Sequence, residues 1–211
     1  MRQSFTIVVG ISLTTVASSV AAGQSVSIAF ARGDASRSLE LQSGGFVASL
    51  VIPVRHRVGV AVTVDRLTGD ATATGVVCGE VMDPVQCPVE SYTQASRLTT
   101  VGVGVDFLLY RARYVGLSLR PQLLLGRAKN ERLGDATGNM LSATKMEMGL
   151  SLGAEVRVTP THRVPLDLAV GAALRNVWPT ATQADGYTPF EKRFTSRTIY
   201  AGVAFTRRRE P

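Results

Sequence analysis

Val101-Gly102-Val103-Gly104-Val105-Asp106-Phe107 alternates a large apolar residue with a small or polar one at every step. Period two puts successive side chains on opposite faces of an extended chain, whereas a helix face would need apolar residues three or four apart. The same alternation runs through Val58 to Asp65 and through Met146-Glu147-Met148-Gly149-Leu150-Ser151-Leu152 on to Val158. These stretches predict strands with one apolar and one small or polar face.

Working outward, Val115 to Gly126, Leu166 to Arg175 and Thr198 to Phe205 carry the same pattern. Val26 to Phe30 and Phe46 to Ile52 carry it less cleanly, which brings the count to eight strands. The connections alternate in length. Long ones are expected at Gly33–Gly45, Arg66–Arg97, Ala128–Ala143 and Pro179–Arg193, and short ones at Pro53–Arg57, Arg111–Tyr114 and Thr159–Pro165. Long loops therefore gather at one end and tight turns at the other, and an even strand count puts both termini at the turn end.

The chain opens with Arg2, an apolar run from Phe5 to Leu13 and the small residues Ser18-Ser19-Val20-Ala21-Ala22. That order reads as a secretory signal peptide over 1–22, cleaved near Ala22, because the apolar run is shorter than the roughly 20 residues a spanning helix requires. Residues 23–211 then form one domain, with no linker or internal repeat. The formal charge of +7, of which Arg2 contributes one, would suit a nucleic-acid binder, but export argues against that partner. Cys78 and Cys87 lie close together in a Gly- and Pro-containing stretch. In an oxidising compartment they predict a loop disulfide, worth about 2 to 3 kcal/mol on the chain-entropy account. No further soft ligands stand near them, so neither a metal nor a cofactor is expected.

Alternation of this kind, with short turns, long loops and an even strand number, resembles the small eight-stranded outer-membrane barrels of the OmpA and OmpX type. The last strand, Ile199-Tyr200-Ala201-Gly202-Val203-Ala204-Phe205, resembles the aromatic-ended final strand of that class, although Thr206 to Pro211 continue beyond it. The resemblance implies an all-β, eight-stranded antiparallel up-and-down transmembrane β-barrel in the outer membrane. Its turns would be periplasmic and its loops extracellular.

The competing arrangement turns the apolar set inward, as in a soluble lipocalin-like carrier of a small apolar ligand. The other face decides between them: it is dominated by Gly, Ala, Ser and Thr, and the three lysines, Lys129, Lys145 and Lys192, are assigned to loops or strand ends. Small residues suit a crowded lumen, because eight strands enclose a space that side chains fill. Outer-membrane lipid is then the principal partner, a monomer is expected, and an extracellular ligand would be met by the loops.

Charges on the inward face have to be paired. Asp106, Arg120, Glu147, Glu155, Arg157, Asp167 and Arg175 are the candidate lumen network, with Asp65 on the same face. A three-residue turn sets Asp106 opposite Arg120. Pairing Val158 with Val164 sets Glu147 opposite Arg175 and Glu155 opposite Asp167, so that Glu155 needs Arg120 or Arg157 nearby.

Catalysis finds little support in these residues. His56 and His162 both fall in short turns, away from any extracellular site, and no nucleophile elbow, zinc spacing or phosphate loop is present. The expected role is structural or surface-interacting, not enzymatic, with a narrow porin-like channel or a barrel enzyme as lesser alternatives. At the turn end Arg55, His56, Arg57, Arg111, Arg113, His162, Arg163 and Arg207 to Arg209 make a basic rim that would attract anionic groups.

Overall fold

The computed structural model describes residues 24–34, 42–76, 89–134, 140–161, 164–184 and 194–206. Signal peptide, Cys78, Cys87, His162, Arg163, Lys192 and Arg207 to Arg209 lie outside them.

Eight strands follow one another: β1 Ser25–Asp34, β2 Gln42–Arg55, β3 Val58–Val76, β4 Val89–Arg111, β5 Val115–Gly134, β6 Met140–Val158, β7 Leu166–Ala184 and β8 Phe194–Thr206. Each pairs antiparallel with its sequence neighbour, and β1 pairs with β8 from Ser25↔Thr206 to Gly33↔Thr198, which closes the ring. Within the closed ring no strand edge is left with unpaired backbone groups, the condition for crossing lipid with strands.

The apolar set points outward. Leu123, Leu125, Met148, Leu150, Leu152, Val170 and Leu174 are all exposed on the wall, Leu123 at 68%. The alternate set, Ser27, Ser49, Thr63, Asp65, Ser118, Arg120, Gln122, Ser151, Glu155 and Arg175, is buried inside. A soluble carrier would need the reverse, so the inward-apolar alternative is excluded. Phe46, Tyr110 and Tyr114 stand exposed near the two rims, where amphipathic rings suit the lipid interface.

The strands at the loop end run much further than expected. The stretch assigned to a loop over Arg66–Arg97 continues as β3 and β4, paired from Arg66↔Thr99 to Val76↔Val89. Ala128–Ala143 likewise continues as β5 and β6, paired to Leu133↔Met140, and the connections after β1 and β7 shorten in the same way. Beyond the lipid both faces meet water or other polar groups, so the apolar contrast that marks a strand fades. The backbone ladder needs no such contrast and continues through Thr-rich sequence that favours extended chain.

β3 to β7 span 19, 23, 20, 19 and 19 residues, against 10, 14 and 13 for β1, β2 and β8. About 9 to 11 residues suffice to cross a bilayer. With tight turns at one end, the surplus rises from the other as a one-sided wall.

Candidate functional site

Three regions carry the polar chemistry: the lumen, the wall and the turn-end mouth. In the lumen, β5 delivers Arg120 directly opposite Asp106 of β4, between the paired positions Gly104↔Gln122 and Phe107↔Leu119. Arg120 Nε donates to Asp106 Oδ1 at 2.5 Å, and its two terminal nitrogens donate to Glu155 Oε2 and Oε1 at 3.0 and 2.6 Å. One guanidinium thus bridges three strands. Glu155 Oε1 also accepts from Arg157 Nε at 2.6 Å, and Arg157 Nη1 donates to Ser25 Oγ at 2.5 Å.

A second pair lies higher in the lumen. Arg175 of β7 grips Asp65 of β3 with both nitrogens, Nη1 to Oδ1 at 3.1 Å and Nη2 to Oδ2 at 2.6 Å. The expected facing of Glu147 and Arg175 does not occur, because β6 and β7 are displaced from the assumed register. Val158 pairs with Leu168, and this sets Ser151 opposite Arg175, Glu147 opposite Pro179 and Glu155 opposite Gly171. The chain between β6 and β7 is longer than a tight hairpin, which the assumed Val158/Val164 pairing did not allow for.

Asp167 is therefore not across from Glu155; it accepts from Thr159 Oγ1 at 2.6 Å and Thr206 Oγ1 at 3.0 Å near the turn end. Glu147 pairs instead with Lys145, Nζ 3.4 Å from Oε1, both buried. Lys145 is 1% exposed inside strand β6, neither in a loop nor at the strand end. Its place in the small-residue phase of that strand, two before Glu147, was the available signal.

Tyr200 was missed as a member of this cluster. Its hydroxyl donates to Glu155 Oε2 at 3.2 Å over the intervening strand β7. Gly171 makes that reach possible: it pairs with both Glu155 and Tyr200, and a Cβ there would run into the Tyr200 ring. An aromatic opposite a strand glycine is the recoverable sequence signal. Gly171→Ala should displace the ring and destabilise the barrel by about 1–3 kcal/mol, measured by urea unfolding in micelles; an unchanged midpoint would refute this packing.

Ala31, Val47, Leu67, Leu98 and Ala128 form a buried apolar layer in the lumen, with Tyr200 packed against it. Between this layer and the ion pairs is a cavity of about 20 Å³, bordered by Asp65, Arg120, Gln122, Arg175 and Tyr200. That is space on the order of one water molecule.

On the wall, the inner face stays packed: Ser96 Oγ donates to Asn130 Oδ1 at 2.5 Å, and the Arg132 guanidinium lies 4.1 Å from the Tyr92 ring centre. The outer face shows Thr68, Asp70, Thr72 and Thr74 of β3 and Ser91, Arg97 and Thr99 of β4. Glu131 accepts from Lys129 at 2.5 Å and lies 3.6 Å from Arg97.

A closed ring of eight antiparallel strands with an apolar outside and a charged inside has well-defined counterparts among solved structures. Ail, the attachment invasion locus protein of Yersinia pestis, solved with the heparin analogue sucrose octasulfate, superposes with a TM-score of 0.54 at 16% identity, covering 88% of this chain and 99% of Ail. The chain has the fold of the small outer-membrane β-barrels. Neisserial surface protein A matches this barrel at TM-score 0.54 and 15% identity over 87% and 95% of the two chains. A major outer membrane protein of Thermus thermophilus matches it at 0.52 and 12% over 86% and 98%. No family model matches the sequence. No curated protein matches it either. Among the described residues of the barrel no cluster of three His, Cys, Asp or Glu side chains could hold a metal ion, and His56 sits exposed in the β2–β3 turn.

Proposed function

We propose that the protein is a non-enzymatic, monomeric outer-membrane barrel that presents its β3–β7 wall as a surface for extracellular interaction, while its lumen is plugged. The single observation that carries this reading is the wall. Strands about twice the length needed to cross lipid rise on one side of the rim only, with a packed inner face and an outer face where Thr, Ser and charged residues stand beside exposed Val89, Leu133 and Met140. A rigid, raised, water-facing surface is what a scaffold offers to a partner.

In the same reading the chain is exported with its signal removed near Ala22, and Cys78 and Cys87 cross-link the tip of the β3–β4 hairpin. The lumen ion pairs and the apolar layer support a plug in preference to a conducting path. Outward Arg66, Arg97, Arg127 and Lys129 put positive charge on the loop-end half of the outer face, which suits a sulfated sugar of the kind seen with Ail.

Replacing Arg66, Arg97, Arg127 and Lys129 with Gln removes the positive charge from the outer face of the wall and leaves the strand pairing in place. The substituted barrel should keep its heat-sensitive compact gel band and lose at least tenfold of its retention on immobilised heparin and its affinity for sucrose octasulfate. Equal retention of both forms, or none by the intact barrel, would overturn the reading.

A further inference from the structure

At the turn end the lumen opens into a cavity of about 270 Å³ whose lining includes five arginines, Arg55, Arg57, Arg111, Arg113 and Arg157, against two carboxylates, Asp106 and Asp167. Both carboxylates are already engaged, Asp106 by Arg120 and Asp167 by the hydroxyls of Thr159 and Thr206. Among the described residues, no carboxylate lies within ion-pair reach of Arg55, Arg57, Arg111 or Arg113. Arg157, at the floor, donates to Glu155 and Ser25, while its Nη2 has no hydrogen-bond partner.

We propose that this mouth is a binding site for the end of a water-soluble polyanion bearing phosphate or carboxylate groups. The charge is concave and convergent, supplied by the β2–β3 turn, the β4–β5 turn and β6 together. A guanidinium takes phosphate or carboxylate with two parallel hydrogen bonds, so several converging on one space select a multiply charged group. The volume is just below the roughly 300 Å³ of a small-molecule pocket, which fits the tip of a chain and not a whole polymer.

Geometry also selects the source. Most strand residues of the lining, among them Ser25, Val51, Gly59, Gly116 and Thr206, belong to the lumen-facing set, with Val58 and Val115 of the outward set at its edge, so the cavity opens chiefly along the barrel axis to water. In barrels of this class that end faces the periplasm. A headgroup could reach it only by leaving its leaflet, and a soluble anionic chain meets no such barrier. This inference rests on the barrel fold and its orientation, not on the role proposed for the wall.

The test is calorimetric titration of the refolded barrel in zwitterionic micelles with inorganic tripolyphosphate and, separately, with short poly-glutamate. Saturable one-to-one binding is expected for at least one probe, weakened tenfold or more in Arg55→Gln/Arg111→Gln and unchanged in the loop-end control Arg32→Gln/Arg197→Gln. Preference between the two probes tells phosphate from carboxylate. Both variant pairs are exposed, and an intact heat-sensitive band confirms folding. Equal weakening in the two variants would reduce the effect to diffuse surface charge, and binding of neither probe, or binding only of anionic lipid added to the micelles, would overturn the proposal.

Discussion

Arg120→Met should lower the unfolding free energy of the refolded barrel by about 3–5 kcal/mol, the cost of leaving buried charge without its partner. Arg120 is 3% exposed and holds Asp106 and Glu155 at once. Methionine keeps most of the volume and removes the charge, so the loss reports electrostatics and not a cavity. Adding Glu155→Gln to that variant should recover part of the loss, because one of the stranded carboxylates is then neutral. Denaturant titration in micelles followed through Trp178 fluorescence measures both. An unfolding midpoint equal to wild type in Arg120→Met would mean that the lumen is wet enough to solvate these groups, and the plug would have to be abandoned.

Val170→Arg should cost about 2–4 kcal/mol, the range for an arginine on the lipid face near the bilayer midplane. Val170 is 58% exposed and stands on β7 among Val156, Ala172 and Ala201. At an ordinary water-exposed position the same change would stay within about 0.5 kcal/mol. The two magnitudes differ enough to decide between lipid and water at this surface. A loss below about 0.5 kcal/mol in lipid vesicles would place Val170 outside the hydrocarbon and contradict the apolar belt.

The strand count and the short turns were legible in the chain because period-two alternation is a local signal. Val101 to Phe107 shows it within seven residues, and no distant contact is needed to see it. The facing of Asp106 and Arg120 was legible for a related reason: a short turn fixes register by itself. Where the connection was longer, between β6 and β7, the same reasoning misplaced Arg175 and Asp167, since an inferred register is only as good as the turn it assumes. The wall was illegible as strand because its outer residues Thr68, Asp70, Thr72 and Thr74 and its inner residues Gln94, Ser96 and Asn130 are all polar.

The amino-acid order alone thus determined that eight strands form and which residues share a face, because these follow from backbone pleating along each strand. Only the closed ring decided which charges meet. Arg175 and Asp65 are 110 residues apart in sequence, and Tyr200 reaches Glu155 over Gly171. Such pairings are set by barrel closure and strand stagger, quantities that belong to all eight strands together and to no single one of them.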